Sequence, residues 1–236
     1  MSPARCRTTA ADLALSTAKG SLHGREDKGQ PNIIYMNTNL KNTSSCGTTV
    51  TPMLQTLEEK HQFSFFLAPA KQVKPFRTMN VKQAFDYIIS DMDATVATHN
   101  LREIHDPKEH RLFKSRNFAF ATFSGVFSYR SDKMLLKHSG LLCLDFDHLG
   151  NVYRIWELKE RLLRDQNFQT ALAFTSPSGD GLKWVIEIDI NKADHKTWFN
   201  AVANYVKQQY RLDVDPQCAN VSRACFLPHD PFCWER

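Results

Sequence analysis

The stretch GLLCLDFDHL, residues 140–149, decides how the rest of the chain is read. Its apolar run predicts a buried strand, and the strand ends in two acids, Asp145 and Asp147. Side chains at i and i+2 leave a strand on the same face. On a core face, two unpaired carboxylates would each cost several kcal/mol. The pair therefore either meets a cation or marks the point where the strand reaches solvent. Mg²⁺ or Mn²⁺ suits it, because these hard ions take carboxylate oxygens and keep positions for water and phosphate.

The flanking sequence predicts the elements around that strand. NVYRIWELKERLLRD (151–165) has the spacing of an amphipathic helix with Val152, Ile155, Trp156, Leu162 and Leu163 inward. FQTALAFTS (168–176) and LKWVIEIDI (182–190) read as strands joined by the turn PSGDG (177–181). DHKTWFNAVANYVKQQY (194–210) is a second amphipathic helix with Trp198, Val202, Tyr205 and Val206 inward, and LDVDPQCANVSRACFLPHDP (212–231) is a closing turn-and-strand region. Upstream, FSFFLA (63–68) and NFAFATFSGVFSYR (117–130) predict strands, the second interrupted at Gly125. NVKQAFDYIISDM (80–92) predicts a helix capped by Asn80, while residues 99–117 are polar and basic without a clear period. Strands outnumber what the two downstream helices can cover, so the expected fold is α+β, a mixed sheet with flanking helices. Residues 1–60 carry four of the nine glycines and few aromatics, which predicts a disordered polar tail ahead of a domain over 61–236.

Composition narrows the function classes. No stretch approaches the ~20 apolar residues of a membrane-spanning helix, and the start lacks the apolar core of a secretory signal, so no membrane partner and a cytoplasmic location are expected. The six cysteines include no CxxC pair and are read as reduced thiols. Net charge is +5, and residues 101–140 hold eight Lys or Arg against four acids just ahead of the Asp pair. That bias permits an anionic partner, with Arg111, Lys114, Arg116 and Arg130 as candidates to track nucleic-acid phosphates. Phe118, Phe120 and Phe123 alternate on a strand, a pattern more typical of core than of base stacking.

Two further stretches join the acids. In TSPSGDGLK (175–183), Gly179 and Gly181 permit backbone conformations that aim amides at an anion, Ser176 and Ser178 offer hydroxyls, and Lys183 opens the outgoing strand. The same residues also make an ordinary hairpin turn. In the closing region, Asp213 and Asp215 repeat the i, i+2 spacing, and Arg223 follows as a candidate bidentate phosphate ligand.

Taken together, FATFSGVFSYR, LLKHSGLLCLDFDHL, AFTSPSGDGLKWVIEID and YRLDVDPQCANVSRACFLPHDP resemble the VirE N-terminal-type domain of mobile-element proteins, a branch of the archaeo-eukaryotic primase (primase-polymerase) superfamily. The resemblance runs from about Val73 to Glu235 and implies an RRM-like primase-polymerase catalytic core over 61–236. It implies a divalent-metal-dependent nucleotidyltransferase of the DNA primase or polymerase type, acting on nucleoside triphosphates and a single-stranded DNA template. Asp145, Asp147 and Asp215 would be the catalytic acids and would hold Mg²⁺ or Mn²⁺ in a two-metal site. Ser176, Ser178, Gly179, Gly181, Lys183 and Arg223 would bind the nucleotide. A helicase or another replication or mobile-element protein is the implied partner. The superfamily's second motif usually ends in His, and Lys183 stands there instead, able to meet phosphate as a point charge.

Three other readings compete. A catalytically weak nucleotide- or nucleic-acid-binding module would use the same residues without turnover. A haloacid-dehalogenase-like phosphatase also starts from a strand ending in D-x-D, but it expects Gly-Thr or Gly-Val where this chain has His148-Leu149. Cys218, Cys225, His229 and Cys233 suggest zinc, yet their spacing lacks the short knuckle of structural sites.

Overall fold

Residues 61–236 are described by the structure, a computed structural model; the polar segment 1–60 lies outside the described residues. In chain order the elements are β1 (Phe63–Phe66), β2 (Arg77–Met79), α1 (Val81–Ser90), α2 (Met92–Arg102), α3 (Pro107–Asn117), β3 (Phe120–Thr122), β4 (Gly125–Phe127), β5 (Leu135–His138) and β6 (Leu141–Phe146). There follow α4 (Val152–Leu163), β7 (Thr170–Thr175), β8 (Leu182–Glu187), α5 (His195–Tyr210), β9 (Cys225–Phe226) and β10 (Trp234–Glu235). The protein is α+β.

One four-stranded sheet has the order β10-β7-β8-β6, a second has the order β2-β1-β3-β9, and β4 and β5 form a two-stranded ribbon. The expected mixed sheet is corrected in detail, because every pairing between these strands is antiparallel. The reason is topological. Helix α4 carries the chain from β6 over to β7, and β8 then returns between them. β6 and β7 run in the same direction, but each pairs with β8 rather than with the other.

The first sheet is buried on both faces. Leu142, Leu144 and Phe146 of β6, with Leu182, Trp184 and Ile186 of β8, pack against Ile155, Leu158 and Leu162 of α4 and Phe199, Val202 and Val206 of α5. The opposite face, through Leu141, Phe174 and Val185, packs on Phe63, Phe65, Ala121 and Phe123 of the second sheet and on Ala84 and Ile88 of α1. This two-sided burial is why these strands read as near-continuous apolar runs. The alternating phenylalanines are core: Phe118, Phe120 and Phe123 are buried, and Phe120 stacks on Phe66 at 4.7 Å.

Local signals explain the helix starts. Asn80 caps α1 in a reciprocal box with Gln83, Asn151 caps α4, and Asp194 caps α5. On α4 the inward face is Ile155, Leu158 and Leu162, whereas Val152 and Trp156 point outward, Trp156 being 61% exposed. Helices α2 and α3 arise within a stretch that shows no sustained apolar period. The first buries small residues, Ala94 and Ala97, with Leu101, and the second buries none of its own.

Two histidines tie the β4–β5 ribbon to α5. Gly140 N–H donates to His138 Nδ1 at 3.0 Å, so the other ring nitrogen carries the hydrogen and donates to His195 Nδ1 at 3.2 Å. His195 in turn donates from Nε2 to the Cys218 carbonyl at 3.3 Å. Both rings are neutral in this chain. Burial, reinforced by the neighbouring His195, lowers His138 to about 4, and burial also lowers His195.

Trp184 is fully buried, and its indole donates to Thr170 Oγ1 at 2.8 Å. Trp184→Ala is expected to lower the unfolding free energy by about 3–5 kcal/mol. Trp156→Ala should change it by less than about 0.5 kcal/mol, both read from urea unfolding curves. For the histidine chain, depressed folded pKa values mean that stability is present above the unfolded value of about 6.5 and is lost as pH falls towards about 4. Unfolding midpoints measured from pH 7 to pH 4 should fall less steeply in His138→Gln than in the native chain.

Candidate active site

Asp145 sits on the face of β6 opposite to Leu144 and Phe146, so it points into the space between the two sheets. Its register partner on β8 is Lys183. The Lys183 ammonium is in direct contact with Asp145 Oδ2 and lies 4.0 Å from Asp147 Oδ1. The two paired side chains are only 9% and 14% exposed. Burial works against the Lys183 ammonium, but Asp145, with further help from Asp147, outweighs it and raises its pKa, so it is charged at neutral pH. Burial pushes the Asp145 carboxyl up. Lys183 opposes that rise, while Asp147 and Asp215 add to it.

Asp147 lies one residue beyond β6 and is half-exposed. The loop from Ser176 to Gly181 closes around it. A Cβ on Gly181 would lie 2.5 Å from the Phe146 carbonyl oxygen and 3.4 Å from Asp147 Oδ1, so only glycine lets the backbone pass this close to the strand tip. Gly181 N–H donates to Ser176 Oγ at 3.0 Å, and Gly179 N–H donates to the Ser176 carbonyl at 3.0 Å with φ +80° at Gly179. These amides close the turn instead of facing the cleft. Ser178 Oγ donates to Asp180 Oδ1 at 2.5 Å, and His148 Nδ1 stands 3.4 Å from Asp180 Oδ2. Burial would raise Asp180, but these contacts outweigh it and hold its carboxyl below the usual range.

Asp215 reaches β6 from the segment after α5, its N–H donating to the Asp145 carbonyl at 3.0 Å. Its carboxylate accepts from Gln217 N–H at 2.9 Å and from Arg223 Nη2 at 2.7 Å. Asp213 is bound instead by Lys207 of α5 at 2.6 Å. A small pocket between Asp145, Lys183, Arg223 and Ser124 is floored by Cys143, Cys218 and Cys225, with Cys143 Sγ 3.8 Å from Cys225 Sγ.

The four basic candidates part company. Lys114 is half-buried and lies within electrostatic reach of Asp145, Asp147, Asp180 and Lys183. Arg130 ties down an upstream loop, donating to the carbonyls of Ala70 at 2.8 Å and Gln72 at 3.2 Å. Arg116 lines a shallow groove with Lys71, and exposed Arg111 donates to the Pro107 carbonyl at 3.2 Å. Two residues not singled out in the sequence stand beside the loop. Arg102 donates to the Pro177 carbonyl at 3.3 Å and lies against Gly179, and His110 faces Asp180. Both come from the segment without apolar period, so no pattern in the sequence marked them.

Among the described residues, no three His, Cys, Asp or Glu converge to hold a metal by themselves, the Cys218, Cys225, His229 and Cys233 set included. The Asp145 and Asp147 pair still suits one Mg²⁺ or Mn²⁺. Asp145 Oδ1 is buried without a hydrogen-bond partner, and Mg²⁺ is commonly held by one or two carboxylates with phosphate and water completing its shell. Asp215 has both carboxylate oxygens engaged within its own turn.

The profile of a protein family described as BT4734-like, N-terminal domain, matches residues 113–234. The chain belongs to that family. The match starts within α3 and includes Lys114, both β6 acids, the Ser176–Gly181 loop, Lys183, Asp215 and Arg223, so the family's shared region contains this site. No curated protein and no solved structure matches the chain.

Lys183→Met would leave Asp145 buried beside two other acids. Unfolding stability at pH 7 should fall by about 3–5 kcal/mol. The deficit should shrink as pH is lowered and Asp145 takes a proton, and Lys183→Met with Asp145→Leu should recover most of it in the same urea titrations.

Proposed function

We propose that this chain is a divalent-metal-dependent nucleotidyltransferase of the DNA primase or polymerase type, acting on a single-stranded template. The observation that carries the reading is the unpartnered, buried Asp145 Oδ1 beside Asp147, with Lys183 on the adjacent strand. A buried acid with a free oxygen is costly unless a cation completes it. The strand order β7-β8-β6, with α4 crossing from β6 to β7, supports an RRM-like core and kinship with the VirE N-terminal-type branch of the primase-polymerase superfamily.

Asp145 and Asp147 would hold the metal, Mg²⁺ or Mn²⁺, which supplies charge neutralisation at the reacting phosphate and a more acidic 3′-hydroxyl. The chain's own residues do the rest. Lys183 keeps Asp145 ionised and presents positive charge next to the place where phosphate oxygens arrive. Arg223, held against Asp215, offers a planar donor fork that can turn to a triphosphate. Gly181 keeps the loop close enough to the strand tip to hold Asp147 in position. The cytoplasm as location, and a helicase or other replication or mobile-element protein as partner, belong to the same reading.

A second reading has its own support. Lys183 and Arg223 are both ion-paired to acids of the site, which suits a module that binds nucleotide or nucleic acid with little turnover. Incorporation of labelled dNTPs or NTPs on single-stranded DNA, with Mg²⁺ or Mn²⁺, separates the two. Turnover that falls about 100-fold or more in Asp145→Asn and in Asp147→Asn is the expected result. Binding without turnover would favour the module, and absence of both would overturn either reading.

A further inference from the structure

Most charges around the β6 acids are paired. Lys183 meets Asp145, Arg223 meets Asp215, and Asp180 has Ser178 and His148. Lys114 is different. It is half-buried on α3, and among the described residues it has no hydrogen-bond acceptor and no acid at ion-pair distance. Its nearest recorded contact is the Phe226 ring, 6.0 Å from its ammonium. Burial and the neighbouring Lys183 both work against its charge, while Asp147, Asp145 and Asp180 support it only at longer range.

The position follows from how α3 is held. Asp106 caps the helix and Pro107 opens it, Phe113 packs against the cluster of Ala97, Leu101 and Phe118, and the Ser115 carbonyl accepts from Ala70 N–H at 2.7 Å. With Phe113 fixed against α2, the next residue is directed across Phe226. Phe226 belongs to β9, whose Cys225 touches Cys143 on the same face of β6 as Asp145. The helix thus sets a second ammonium beside Lys183, with no local anion to satisfy it. Two like charges held together out of bulk water repel, and a multivalent anion between them removes the penalty. Phosphate chains are such anions, and lysine meets them as a point charge.

We infer that Lys114 is a phosphate ligand of this site, pairing with Lys183 across the terminal phosphates of a bound nucleoside triphosphate. The assignment rests on the nucleotidyl-transfer reading for its substrate class, but the phosphate contact can be tested apart from catalysis. It takes Lys114 away from the template-tracking role that its basic neighbourhood suggested.

The test uses the full chain and the variant Lys114→Met, which removes the charge and keeps the length of the stem. Inorganic tripolyphosphate in EDTA, and dATP with Mg²⁺, are titrated calorimetrically, alongside a single-stranded oligonucleotide and a thermal unfolding curve. Lys108→Met, an exposed position on the first turn of α3, is the control. The expected result is an affinity for tripolyphosphate and dATP at least tenfold weaker in Lys114→Met, within twofold of native in Lys108→Met, and oligonucleotide binding within twofold of native in both. The unliganded melting temperature of Lys114→Met should equal or exceed that of the native chain, because an unpaired charge has been removed. Unchanged triphosphate affinity, or loss confined to the oligonucleotide, would overturn the assignment. A native chain that binds tripolyphosphate through Lys114 but incorporates no nucleotide would keep the assignment and sink the transferase reading. A native chain that binds neither triphosphate would sink both.

Discussion

The contact between Asp145 and Lys183 constrains more of this molecule than any other polar interaction in it. The two residues face each other across the β6–β8 pair and lie between two sheets, where neither charge could stand alone. A slip of one residue in this register would turn both charges into the helix-covered core and bring the apolar partners out. The ion pair and the apolar alternation of Leu142, Leu144 and Phe146 therefore specify the same register. Once it is set, the Ser176–Gly181 loop must close over the tip of β6, and Asp147 is delivered beside it.

That arrangement gives the site a definite electrostatic character. Three acids approach one another around Asp145, and three cations come from β8, α3 and the closing segment. Lys183 and Arg223 are matched to acids, which lets buried charge persist. The imbalances that remain are the free Asp145 oxygen and the unmatched Lys114, one asking for a cation and the other for an anion. A metal–phosphate ligand supplies both at once, so the two imbalances are complementary.

Helices α2 and α3 show why part of the site was hidden. Lys114 stood out only as one cation in a basic stretch, and Arg102 and His110 did not stand out at all. Their helices bury small residues or nothing, so no apolar period announces them or says which side faces the acids. Trp156 shows the reverse problem. Its spacing with Ile155 and Leu162 fits an inward stripe, but the face that α4 presents is set by where β8 and α5 lie, and that leaves the ring outside.

From the amino-acid order alone came the strand that ends in Asp145 and Asp147, the turn with Gly179 and Gly181, the caps at Asn80, Asn151 and Asp194, and the α+β class. All of these are local: periodicity, glycine freedom and capping act over a few residues. What the tertiary structure decided was which distant residues meet. β8 inserts between β6 and β7 and makes the sheet antiparallel. Arg130 is drawn away to an upstream loop, Arg223 closes on Asp215, and Lys114 turns towards the acids. Those outcomes depend on packing between elements far apart in the chain, and short-range preferences carry no record of it.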